Sequence, residues 1–129
     1  MRYNINGYDG TSYRKEQLRA IKILRKFFDP KDIFVEYELN KLTIDNEPAK
    51  PCTLDIAIIS GENKLAIRLN GEDHFNSAKQ MDKDGWQKIA LEQNGWRVVD
   101  FNKDEMPILW KYDDISDDMI EEVMSKICI

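Results

Sequence analysis

The chain has 129 residues, a formal net charge of −5 and two cysteines. That length buries one hydrophobic core without disulfide or metal staples, so a single domain over residues 1–129 is expected. The charge argues against generic electrostatic binding of nucleic acid, and no apolar run approaches the ~20 residues of a membrane span. No signal-peptide h-region opens the chain, and Cys52 and Cys128 show no motif spacing, which is the usage of reduced thiols in a cytoplasmic protein.

Residues 1–10 are polar and aromatic with two glycines and read as an irregular arm. Thr11 or Ser12 can cap a helix running to about Phe28, ended by Asp29-Pro30. Its apolar stripe is Leu18, Ile21, Leu24 and Phe28, widened by Ala20, Ile23 and Phe27. Glu16 stands at the edge of that stripe, either solvated where the helix dipole favours it or aimed inward at a sheet. Ile33–Leu39 alternates as a strand, with Ile33, Val35, Tyr37 and Leu39 on one face and Phe34, Glu36 and Glu38 on the other. A polar connector follows over residues 40–51.

Two alternating runs come next, Thr53–Ser60 (TLDIAIIS) and Lys64–Asn70 (KLAIRLN). Ser60-Gly61-Glu62-Asn63 between them is of hairpin length. Closing the hairpin there sets Ile59 against Lys64 and, counting back, Asp55 against Arg68. One face of the pair is branched aliphatic. The other gathers a carboxylate, a guanidinium and the Asn70 amide between small residues, the composition of a site. Ser77 with Gln80 signals a helix ending at Asn94-Gly95, Trp96–Phe101 is a further strand, and residues 102–114 form a loop bearing Pro107, Trp110 and Tyr112. Ser116 caps a last helix, Asp117–Ile127. The net acidity is concentrated over residues 111–129, where two lysines oppose six acids, leaving the rest nearly neutral. Trp86, Trp96 and Trp110 read as core residues rather than base-stacking platforms.

This order, with KLAIRLNGEDHF following PCTLDIAII, resembles the PD-(D/E)XK nuclease superfamily, nearest the branch of the very-short-patch-repair endonucleases. The resemblance covers about Ser12–Phe101. It implies an α/β fold with a restriction-endonuclease-like αβββαβα core, a central mixed sheet flanked by helices. Asp55 matches the first catalytic aspartate, and Gly71 and His74 match the branch's Gly-x-x-His. Asp84, Leu91 and Gly95-Trp96 match a helix and strand that follow. The implied activity is cleavage of DNA assisted by Mg²⁺ or Mn²⁺. Departures fall at the chemistry: Arg68 stands where the family has an acidic metal ligand, Asn70 where it has lysine or aspartate, and Gln87 where it has arginine.

Magnesium takes hard oxygen ligands, usually one or two carboxylates with water and substrate oxygen. A guanidinium only donates and is always charged, so Arg68 cannot ligate and would compete with the cation for Asp55 as a bidentate pair. Two outcomes follow. Either an Asp55–Arg68 salt bridge fills the metal position, leaving an inactive nuclease-fold protein without cofactor that binds nucleic acid or a protein. Or the ligands are Asp55 with an acid recruited from Glu16, Glu36, Glu72 or Asp73, with Arg68 turned toward the scissile phosphate. His74 is a general base or phosphate contact on the resemblance, or a capping residue on its own merits. DNA is the expected partner, the acidic C-terminal helix offers a surface for a protein, and no membrane association is expected.

Overall fold

The computed structural model describes residues 3–4, 15–70, 78–103, 108–111 and 116–127. In chain order these form β1 (Tyr3–Asn4), α1 (Lys15–Leu24), a 3₁₀ turn (Pro30–Asp32), β2 (Ile33–Leu39), β3 (Thr43–Ile44), β4 (Glu47–Pro48), β5 (Cys52–Ser60), β6 (Asn63–Asn70), α2 (Ala78–Gln93), β7 (Arg97–Asn102), α3 (Ile108–Lys111) and α4 (Asp117–Ile127). One five-stranded sheet runs β1-β2-β5-β6-β7. Its first three pairings are antiparallel and β6–β7 is parallel, joined through α2. The fold is therefore a mixed α/β sheet with helices on both faces. The expected major elements are present in the expected order.

The hairpin register agrees with the turn argument: Ile59 faces Lys64 and Ser60 faces Asn63. Gly61 sits at φ +60° while Glu62 stays out of the positive region, the pattern of a two-residue type II′ turn. Helix α2 stops where Asn94-Gly95 predicts. Gly95 lies at φ +86°, Trp96 N–H donates to Leu91 O at 2.9 Å and Gly95 N–H to Glu92 O at 3.3 Å, which is a Schellman cap. Ser116 caps α4, its hydroxyl accepting from Met119 N–H at 3.3 Å.

Several elements differ from expectation. Tyr3–Asn4 is an edge strand on β2 rather than an irregular arm. The connector over 40–51 contains the β3–β4 hairpin, turned by Asp45 and Asn46 at φ 52° and 67°. That pair of positive φ values makes a type I′ turn, which Asx residues tolerate. The hairpin docks on the end of α2: Asn94 Nδ2 donates to Thr43 O at 2.7 Å and Asp45 N–H to Gln93 Oε1 at 2.8 Å. The loop after β7 contains α3, whose Leu109 is buried and accepts from the buried Arg19 guanidinium through its carbonyl. Leu18 and Phe27, expected in the core stripe of α1, are exposed, whereas Gln17 and Arg19 are buried.

Two cores flank the sheet. Ala20, Ile21, Ile23 and Leu24 of α1 pack with Ile33, Val35, Ile56, Ile58, Ile67, Phe101 and the Met119, Val123 and Ile127 side of α4. On the other face Leu54, Ala57 and Ala66 pack with Ala90 and Leu91 of α2, Trp96 and Leu42, joined by Phe34, Tyr37 and Leu39. Each fully buried Leu, Ile or Phe contributes ~1.5–3 kcal/mol, so both faces are held. Trp96 is buried, and Trp86 and Trp110 are partly buried against the two cores, as the core reading expects.

Those memberships expose an irregularity. Ile33 and Val35 belong to the α1 face, but Tyr37 and Leu39 belong to the α2 face with Phe34. Side chains two apart in a regular strand share a face, so β2 changes phase between Val35 and Tyr37. Across from it, Leu54 lies on the α2 face and Ile56 on the α1 face, so β5 changes phase too. The expectation of one face for Ile33, Val35, Tyr37 and Leu39, and one for Leu54, Ile56 and Ile58, is corrected at this point.

A charged row across the sheet as candidate functional site

The two phase changes share one rung. In the β2–β5 ladder Val35 pairs with Ile56 and Tyr37 with Leu54, while the intervening Glu36 and Asp55 make no ladder pair. Glu36 sits at φ 48°, a left-handed backbone that costs a non-glycine residue about 1–3 kcal/mol and clusters at functional sites. Turning both strands over at the same rung keeps their register and re-aims the two acidic residues.

Helix α1 reaches this rung with Gln17, not with Glu16. The Gln17 side chain is fully buried. Its Nε2 donates to Asp55 O at 2.9 Å and to Glu36 Oε1 at 3.3 Å, tying both strands to the helix. On its other side the Asp55 carboxylate accepts from Leu69 N–H through Oδ2 at 2.8 Å. A side chain thus takes a hydrogen bond that a regular β5–β6 ladder gives to a carbonyl, and the pairing of those strands stops at Ile56–Ile67. Glu36, Asp55 and Glu16 are each half-exposed.

Arg68 continues the row. The Arg68 side chain, expected to bridge Asp55, is held by Asp100, with Nε to Oδ1 at 2.5 Å and Nη2 to Oδ2 at 2.9 Å. The physical reason is the parallel register, which sets Arg68 directly beside Asp100, whereas β5 diverges at Asp55. The side chains are 10% and 26% exposed, Arg68 and Asp100 respectively, so the pair is largely desolvated and charge-assisted. One rung on, Asn70 Nδ2 donates to Asn102 Oδ1 at 2.7 Å, again along the parallel register. Two of the three positions at which the chain departs from the nuclease pattern, Arg68 and Asn70, are therefore matched by a partner on β7. Ala66 and Val98 belong to the α2 core, so Arg68 and Asp100, two residues further along, point to that face. Cys52 lies on the same side; burial pushes its thiol up, and the Arg68 charge pulls it partly back.

Glu72, Asp73 and His74, with Gly71, lie outside the described residues, as do Thr11, Ser12 and Ser77; the Asp84 side chain is likewise outside them. Sequence reasoning missed Gln17 and Asp100. The first was signalled by its spacing, three, four and seven residues before Ala20, Ile21 and Leu24 of the buried stripe. The second was signalled by the matching strand ends Arg-Leu-Asn and Asp-Phe-Asn on β6 and β7.

Among the described residues no group of three or more His, Cys, Asp or Glu side chains converges on a metal position. The described donor set is the Glu36–Asp55 pair: two hard-oxygen carboxylates at opposed positions of neighbouring strands, at a rung where the ladder is interrupted. That set fits a cation such as Mg²⁺, which takes one or two protein carboxylates and keeps water for the remainder. At the turn end of the β5–β6 hairpin a separate cleft of about 410 Å³ is lined by Phe28, Ile58, Lys64, Leu65, Arg97 and Ile127 among others; it holds none of the residues of the row. No helix in the described residues is long and apolar enough to cross a membrane. Comparison with family models, curated proteins and solved structures gives no match.

Proposed function

We propose that the chain is a PD-(D/E)XK-type, restriction-endonuclease-like protein acting on DNA, with Mg²⁺ or Mn²⁺ held by Asp55 and Glu36. The observation that carries this reading is that Glu36 and Asp55 leave the ladder at one rung and are gripped from α1 by Gln17. Two acids at one strained rung are costly to a fold that does not use them. Arg68, the residue that counted against activity, is engaged by Asp100, which weakens its competition for Asp55.

Electrostatics supports metal dependence. Along the row Glu36, Asp55 and Asp100 oppose Arg68 alone, so an approaching phosphate meets a net negative surface at the described residues. A divalent cation offsets that charge and so removes the repulsion. When bound, the cation supplies Lewis acidity at phosphate and a water of lowered pKa. The chain's own contribution is geometric: Leu69 N–H fixes one Asp55 oxygen, Gln17 fixes Asp55 O and Glu36 Oε1, and Asp100 orients the Arg68 guanidinium. His74 is the proposed general base or phosphate contact and Glu72 a further ligand, both on the resemblance.

The test pairs thermal unfolding with plasmid nicking, each with MgCl₂, MnCl₂ or chelator. A cation at 100 times its Kd stabilises the fold by ~2.7 kcal/mol, so the wild type should melt higher with Mg²⁺ and nick DNA. Asp55→Asn and Glu36→Gln should abolish both responses. A wild type indifferent to either cation in both assays overturns the reading. It would leave the nuclease-fold protein without catalysis, whose docking surface would be the exposed Asp117, Asp118, Glu121 and Glu122 of α4.

A further inference from the structure

We infer that the outer surface of α1 and α4 pairs with the same surface of a second copy of this chain, the basic end of α1 seating on the acidic start of α4. The pairing goes beyond the activity proposed above and does not depend on it. Both helices pack on one face of the sheet, and each presents charges of one sign to solvent. Lys15, Leu18 and Lys22 of α1, with Arg25 and Lys26 of the turn that closes it, are exposed and fall within about 100° of helix rotation. On α4, Asp117, Asp118, Glu121 and Glu122 are exposed opposite the buried Met119, Val123 and Ile127. Like charges at i and i+4, Lys22 with Lys26, Asp117 with Glu121 and Asp118 with Glu122, work against an isolated helix. The helix dipole offsets this at the first-turn acids and last-turn cations but does not reach Glu121 and Glu122. Among the described residues Lys22, Arg25, Lys26 and those acids of α4 take no ion pair.

The two clusters do not neutralise each other within one copy. Phe28, just after the basic cluster, and Ile127, which ends α4, line the same cleft, so the helices bring their C-terminal ends together. The first turn of α4 is ~15 Å back along its axis from that end, beyond the screening length of about 8 Å. Clusters of opposite sign at separate points make the surface self-complementary. A two-fold axis lying along it, perpendicular to the line between the clusters, sets each on its opposite and closes the pair. Phe27, 43% exposed next to Lys26, and the partly buried Ile120 next to Glu121 add apolar contact. Nucleic acid fits this surface less well, because a phosphate backbone laid on α1 meets the acids of α4 on the same face. Exposed ion pairs are individually weak, so the dimer is weak and salt-sensitive.

The experiment is sedimentation equilibrium of the full chain at about 50 and about 500 mM NaCl, between which the screening length falls severalfold. The wild type should self-associate at low salt, with a Kd about tenfold higher at high salt. Lys22→Glu with Lys26→Glu should raise the low-salt Kd about tenfold, and Asp118→Lys with Glu122→Lys should do the same. Each of these variants carries clusters of one sign only, so mixing the two should restore a dimer, now a heterodimer. Placing all four substitutions in one chain should restore self-association, which a merely structural role of either helix would not do. A wild type monomeric at both salts, or a dimer indifferent to salt, overturns the inference. So does a wild-type dimer that one pair of reversals weakens and the other leaves unchanged. Should a reversal fail to fold, Lys26→Gln and Glu122→Gln decide: each should raise the Kd several-fold, and an unchanged Kd in both overturns the inference. A labelled DNA duplex is titrated in parallel by fluorescence anisotropy. Duplex binding by a monomeric wild type, lost in Lys22→Glu with Lys26→Glu, makes nucleic acid the occupant of α1 and overturns the second copy.

Discussion

Glu36 and Asp55 stand at opposed positions of β2 and β5 yet form no ladder pair, and a single buried amide, Gln17 Nε2, reaches both residues. The side-chain phase of both strands reverses across them. Gln17 is thus the peg on which the irregular rung hangs.

Replacing Gln17 with Leu keeps much of its volume and removes both donors. The Asp55 carbonyl and Glu36 carboxylate then lose a buried partner, which costs ~1–3 kcal/mol. Urea unfolding should show that loss with an unchanged m-value. Gln17→Glu should be worse at pH 7 than at pH 5, because it adds a carboxylate against Glu36 Oε1. Wild-type stability in both variants would mean the rung is held by something other than α1.

The order of the elements, the turn at Ser60–Asn63, the stop of α2 and the cap of α4 were legible because each rests on local chemistry: alternation, a positive-φ glycine, a Ser hydroxyl. The phase reversal was not. Val35, Tyr37 and Leu39 are all apolar, so either face satisfies them, and no glycine or asparagine marks the left-handed residue at Glu36. Register counting along the hairpin holds through Ile56–Ile67 but assumed that the ladder continued one rung further, to Asp55 and Arg68. It does not, and the partner of Arg68 comes from β7, a parallel neighbour that no short-range pattern pairs with β6. Glu16 and Gln17 differ by 100° of helix rotation, and attention to the charged residue passed over the amide that occupies the buried face.

Gly61 tests the turn. At φ +60° it has nothing within 4 Å of where a Cβ would stand, so Gly61→Ala suffers only the backbone. That strain is roughly 1–3 kcal/mol, while Glu62→Ala next to it should be near neutral. Equal melting temperatures for the two variants would show that the turn is not of the II′ kind.

Cys52 gives the fold a dependence on alkaline pH. Burial raises its thiol above the ordinary 9.0, with Arg68 partly opposing. The unfolded thiol ionises first, so the contribution is fully present below the ordinary value and is lost as pH rises through the folded one. The slope between the two is at most ~1.4 kcal/mol per pH unit. Unfolding from pH 7 to 10.5, in a Cys128→Ser background, should show stability falling more steeply for the wild-type Cys52 than for Cys52→Ala above about pH 9. Parallel curves would place the thiol in contact with water.

Glu36 offers the sharpest separation of structure from function. Its backbone is left-handed at φ 48°, which Asn tolerates better than Glu. Glu36→Asn relieves that strain, worth about 1 kcal/mol, and removes a carboxylate opposed to Asp55. Against this it gives up the acceptor of a long 3.3 Å bond from Gln17, a loss of ~1 kcal/mol or less; Gln17 keeps its bond to Asp55 O. These terms nearly cancel, so in chelator the variant should unfold within ~1 kcal/mol of the wild type, or slightly above it. With 10 mM MgCl₂ the two should part, the wild type gaining stability and Glu36→Asn gaining none. A residue retained only to hold the sheet would behave in the opposite way, losing stability in chelator and keeping whatever response to Mg²⁺ the fold has. Thermal unfolding of the two proteins in chelator and in MgCl₂ distinguishes the cases without any assay of cleavage.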